Sequence, residues 1–125
     1  MKFEYLSDGS KDCPLIRLYD FSRTEVQLLR QLIRLLATGE RELVALQNEF
    51  WVQPVGGCRL TLRQAKENYG VRQADSLTFD CELNSTGWRN LEGLLDPFCD
   101  SDISGFQWLT RDGTVSLLIS QSGQW

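Results

Sequence analysis

The chain has 125 residues, a net charge of −4 and no histidine. That length suits one domain over residues 1–125, large enough to bury roughly two-thirds of its unfolded surface without covalent staples. No apolar run reaches the ~18 residues of a membrane span, and an acidic balance repels nucleic-acid backbone and anionic lipid. Neither nucleic acid nor membrane is therefore an expected partner.

The acid is unevenly spread. From residue 64 onward there are nine acidic residues against four basic ones, and between Asp75 and Asp102 only Arg89 opposes seven acids. The opening residues lack the long apolar stretch of a secretory signal, so a cytoplasmic protein is expected. The four cysteines, Cys13, Cys58, Cys81 and Cys99, form no Cys-x-x-Cys pair. Structural zinc draws on closely spaced ligand pairs, so buried reduced thiols are the expectation.

In chain order, residues 3–6 read as a short strand and Asp8-Gly9 as a turn. Residues 14–20, dominated by Leu15, Ile16, Leu18 and Tyr19, read as a second strand able to pair with the first as a hairpin. A helix follows over residues 21–39. Ser22 and Glu25 stand three apart as in a capping box, and Phe21 and Val26 take the flanking apolar positions. Gly39 sits where a left-handed residue ends a helix. Val26, Leu28, Leu29, Leu32, Ile33, Leu35 and Leu36 cover about half the cylinder; Gln27, Arg30, Gln31, Arg34 and Thr38 take the other half. A partner sheet is needed to cover the apolar half.

Residues 42–47 read as a strand. Phe50-Trp51-Val52 is a short apolar run that Pro54 confines to an edge or loop. In an extended chain, one of the adjacent pair Phe50 and Trp51 must point outward. Cys58, Leu60 and Leu62 then alternate with Arg59, Thr61 and Arg63. After a polar loop, Leu77, Phe79, Cys81 and Leu83 alternate with Thr78, Asp80 and Glu82. If these two strands pair antiparallel, arginines meet Asp80 and Glu82 across the sheet, each such pair contributing about 0.2–1 kcal/mol.

Asn84-Ser85-Thr86 starts a second helix, with Trp88, Leu91, Leu94, Leu95, Phe98 and Cys99 on one stripe. Pro97 predicts a stop or kink at Asp96. Asp112-Gly113 then predicts a two-residue turn of the I′ type. In that register Phe106, Trp108, Val115, Leu117 and Ile119 form the core face, which leaves Leu109 and Leu118 on the opposite one. The resulting fold class is α+β, a two-layer, mainly antiparallel sheet with two amphipathic helices packed on one face. A ferredoxin-like arrangement with extra strands is one version of it.

Catalytic readings fare poorly. Without histidine the common general base and metal ligand are missing, and no phosphate-binding loop is present. No cofactor is expected. Asp80 and Glu82 read better as a charge-matched sheet face than as a catalytic pair, which needs a cleft that separates their pKa values. Asp100, Asp102 and Ser104, followed by Gly105, match the first half of a calcium loop, but its twelfth position holds Arg111 rather than glutamate. A small-ligand or calcium-like site is thus the alternative reading. The leading one is a non-enzymatic interaction domain for a protein partner or a second copy, meeting it through Phe50, Trp51, Leu109, Leu118, Trp125, Asp80 and Glu82.

Overall fold

The computed structural model describes residues 1–100 and 104–125. Among them the chain runs β1 (Lys2–Leu6), β2 (Leu15–Tyr19), α1 (Arg23–Thr38), β3 (Leu43–Ala45), a short 3-10 turn (Leu46–Asn48), β4 (Gln53–Pro54), β5 (Arg59–Gln64), β6 (Gly70–Gln73), β7 (Thr78–Leu83), α2 (Ser85–Asp100), β8 (Phe106–Thr110) and β9 (Ser116–Ser120). The fold class is α+β, with the helices packed on sheet. The strands form two sheets, ordered β4-β1-β2-β9-β8 and β3-β5-β7-β6.

Helix α1 follows its local signals closely. The Ser22 side chain accepts from the Glu25 N–H, the Glu25 carboxylate accepts from the Ser22 N–H, and Gly39 closes the helix at φ 80°. The free oxygen of Glu25 takes a further bond from the buried Met1 ammonium at 2.6 Å. Burial pushes the Glu25 carboxyl up, but the Met1 ammonium and the Ser22 N–H more than offset that and hold it below its usual value. Val26, Leu29, Ile33 and Leu36 are buried, with Leu28 and Leu32 packed at the core's margin.

The polar side of α1 is not simply solvated. Arg30 pairs with Asp96 at 3.0 Å, Arg34 with Glu92 at 2.8 Å, and the Gln27 side chain donates to the Cys99 carbonyl. Later residues of α1 meet earlier residues of α2, so the helices run antiparallel. Gln64, at the end of β5, donates to the Leu36 carbonyl and to Ser85 Oγ, both at 2.8 Å, and so joins the end of one helix to the start of the other.

Helix α2 begins as expected, with the Asn84 side chain accepting from the Gly87 N–H at 2.8 Å. It does not stop at Asp96. Pro97 lies inside a helix that continues to Asp100, because Phe98 and Cys99 are buried in the last turn and Phe98 meets Phe21 edge-on at 6.1 Å. Tertiary burial outweighs the local cost of proline here.

β1 and β2 form the expected antiparallel hairpin. The pairing of β5 with β7 is parallel rather than antiparallel. The intervening stretch contains a strand that the sequence pattern hides: β6 pairs antiparallel with β7, yet only Val71 of its four residues is apolar. Two other pairings, β1–β4 and β2–β9, are parallel as well. Neither sheet has the layout of a ferredoxin-like fold. The inner faces of both sheets and the apolar faces of both helices share one hydrophobic cluster, against which Tyr5 of β1 packs with its ring tilted on that of Phe79 of β7, centroids 4.5 Å apart.

The sheets meet at a seam. Val71 of β6 bridges to Val115, which donates to the Val71 carbonyl at 3.2 Å. Gly70 and Gly113 make this approach: a Cβ on Gly113 would lie 2.1 Å from the Val71 oxygen, and one on Gly70 2.3 Å from the Gly113 nitrogen. Gly70 also takes φ 74°, a region open to glycine.

Candidate functional site

The seam changes the predicted C-terminal hairpin. Because Val115 pairs with β6, β8 and β9 are joined by residues 111–115 rather than by a two-residue turn at Asp112-Gly113. A bulge between Trp108 and Thr110 shifts the register further. Phe106 and Trp108 consequently pair with Ser120 and Leu118, on the face away from the core. Leu109 points into the core instead.

That outer face of the five-stranded sheet has its own packing. Leu15 and Leu118 are fully buried yet lie outside the central cluster. The chain after β9 folds back over the same face: Arg17 donates to the Gly123 carbonyl at 2.7 Å, and Ser120 Oγ donates to the Gln124 carbonyl at 2.6 Å. Arg17 also pairs with Glu4 and lies over the Tyr19 ring. Trp125 Nε1 donates to one oxygen of Asp12, and Arg111 lies 3.5 Å from the other. The same Arg111 guanidinium sits 4.1 Å above the Trp108 ring, while Phe106 meets Trp108 edge-on at 6.1 Å. Phe106 is 45% exposed. Aromatic rings and a cation thus gather along the β8 margin of this face.

Beside that margin lies a cleft of about 340 Å³. One wall is residues 108–112. The other is Leu83, Gly87 and Asn90, at the end of β7 and the first turns of α2, with Asn68 from the loop before β6. Asn68 Oδ1 accepts from the Asn84 N–H at 3.0 Å, and a Cβ at Gly87 would lie 2.2 Å from that oxygen. Glycine at 87 therefore lets the Asn68 carboxamide lie against the helix.

The residues expected to meet a partner do not share one surface. Trp51, Leu109 and Leu118 are buried, so they offer nothing to a partner. Trp51 turns inward while its neighbour Phe50 is 95% exposed, the division expected of that adjacent pair. Trp125 is half-buried against Asp12. Asp80 and Glu82 are half-buried and engaged, Asp80 by Arg63 at 3.0 Å and Glu82 by Arg72. Their partners are Arg63 and Arg72 because β5 and β6 flank β7 on its two sides. The sequence reading missed Trp108, Phe106 and Arg111 by assigning the first two to the core. The signal available for them was the aromatic spacing Phe106-x-Trp108 beside the Asp-Gly turn.

Of the calcium-like string, Asp100 ends α2, Ser104 precedes β8, and Asp102 lies outside the described residues. No cluster of metal-ligating side chains occurs among the described residues. Desolvation raises the thiols of Cys58, Cys81 and Cys99 above their ordinary value. Cys13, half-buried, donates to the Asp8 carbonyl. No helix among the described residues is long and apolar enough to cross a membrane. No protein-family model matches the chain, and neither a curated protein nor a solved structure matches it.

Proposed function

We propose that this chain is a non-enzymatic protein-interaction domain whose contact surface is the β8 margin of the five-stranded sheet. The observation that carries the reading is the grouping of half-exposed Phe106 with Trp108 and Arg111 beside an open cleft. Tryptophan and arginine are the residue types that most often anchor protein interfaces, because they bring large contact area and directed polar groups together. The acidic second half of the chain favours a protein partner over nucleic acid or an anionic membrane. Four cysteines without a disulfide favour a reducing compartment, in line with the cytoplasm. The absence of histidine, with three thiols held in their protonated form, argues against catalysis.

The test compares the full chain with the double variant Phe106→Ser, Trp108→Ala. Light scattering reads self-association, and quantitative pulldown reads partners. The reading expects a complex, with a partner or a second copy, that the double variant loses while keeping its melting temperature. A chain that stays monomeric and recovers the same proteins as the variant overturns it. A second reading, a small-ligand site, is favoured by the cleft alone, whose volume lies within the ~300–1,000 Å³ of such sites.

A further inference from the structure

We propose that the partner docks as an extended peptide laid along β8 in the cleft between that strand and α2, adding a strand to the five-stranded sheet. The proposal rests on the interaction reading and names its mode. Among the described residues β8 is the last strand of its sheet, with β9 on one side only. An end strand leaves a row of backbone N–H and C=O groups unpaired on its other side. Here Trp108, Leu109 and Thr110 of that strand, continued by Arg111 and Asp112 of the loop after it, form one wall of a cleft. A pocket made by side chains from scattered positions would suit a compact ligand. One walled by successive residues of a strand and its continuation suits a ligand with a backbone of its own.

The opposite wall supplies the rest. Asn68 uses its oxygen on the Asn84 N–H, which leaves its amide hydrogens free to donate. Asn90, exposed on α2, carries a second carboxamide. Carboxamides offer both a donor and an acceptor, the pair that the far edge of a peptide strand requires. Charge chooses among peptides. Arg111 is already engaged by Asp12 and the Trp108 ring, whereas Asp112, the last residue of that wall in sequence, is an acid. The peptide should therefore carry a lysine or arginine where it reaches Asp112. Five residues at about 3.3 Å each would span roughly 16 Å of β8.

The probes are acetylated, amidated hexapeptides of alternating threonine and valine with a terminal lysine, plus versions N-methylated at alternate positions in each of the two registers. Isotope-labelled full-length protein is titrated to millimolar peptide and read by amide shifts. The expected result is a saturable change confined to Trp108, Leu109, Thr110, Arg111, Asp112 and the side-chain amides of Asn68 and Asn90. N-methylation should abolish it in one register and spare it in the other. Asn90→Ala should weaken binding roughly threefold to tenfold, the loss of one hydrogen bond. No saturable shift, shifts elsewhere, equal tolerance of both registers, or pairing of β8 with a second copy would overturn the proposal. If the Phe106, Trp108 double variant loses its complex while the peptides leave residues 108–112 untouched, the interaction reading survives and this docking mode fails.

Discussion

The four-stranded sheet shows solvent Arg63, Asp80, Arg72 and Glu82, joined in pairs across neighbouring strands. The five-stranded sheet, on its own outer face, buries Leu15 and Leu118, and the residues that follow β9 fold back over that face. Both faces come from alternating strands, yet one is finished by charge pairing and the other by a covering segment. A charge-paired face needs only local complementarity, so each pair is replaceable. A covered face depends on chain that arrives from far away in sequence, and its margin, where the cover ends, is where aromatic rings remain reachable.

The largest contrast concerns thiols. Cys81 lies on the inner side of the charge-paired sheet, completely buried, and desolvation raises its pKa. Cys13 lies in the loop whose Asp12 receives Trp125, at the rim of the covered face. A colourless-to-yellow thiol reagent should modify Cys13 in the native protein. It should reach Cys81 slower by roughly a thousandfold or more, at a rate set by unfolding. A Cys13→Ser variant should lose the fast phase; a fast phase that persists would mean the buried thiols open locally.

Next comes Leu118→Ala. If the covering segment makes a true second core, this change should cost about 2–5 kcal/mol in urea unfolding. A loss below about 1 kcal/mol would reduce the two faces to the same kind of surface. Gly113→Ala probes the seam between the sheets. The added Cβ would meet the backbone of Val71, which has no flexible end to yield, so about 1–3 kcal/mol should be lost.

Legibility in the sequence follows the range of the interactions. Helix α1 is set by contacts within a few residues, so Ser22, Glu25 and Gly39 announce its ends. The β1–β2 hairpin is nearly as local. β6 is not, because an edge strand with Val71 as its lone apolar residue gains its structure from β7. At Pro97 two local signals conflict, a proline that favours a stop and an apolar stripe that runs on through Phe98 and Cys99, and the distant contact of Phe98 with Phe21 decides between them. The site suffered most. Asp112-Gly113 carries the local signature of a tight hairpin, and the periodic pattern then assigns Phe106 and Trp108 to the core. The contact of Val115 with Val71 lengthens that loop, and the bulge reverses the assignment. A one-residue change of register moves every side chain to the other face, so the residues that now form the candidate surface were the ones assigned inward.

The smallest effect is expected on the charge-paired face, from Arg63→Ala. Its guanidinium lies 3.0 Å from Asp80, but both side chains are partly exposed, at 44% and 28%. Solvent screens such a pair, and holding two side chains together costs entropy, so the change should cost less than about 1 kcal/mol and less still in high salt. The substitution leaves the Arg63 carbonyl, which accepts the Trp88 indole N–H at 3.0 Å, and so leaves the anchor of α2 in place. Urea unfolding at low and high salt checks both points. A salt-independent loss above about 2 kcal/mol would show that the backbone anchor and the side chain act as one unit, and that this face, like its counterpart, is held by more than its surface charges.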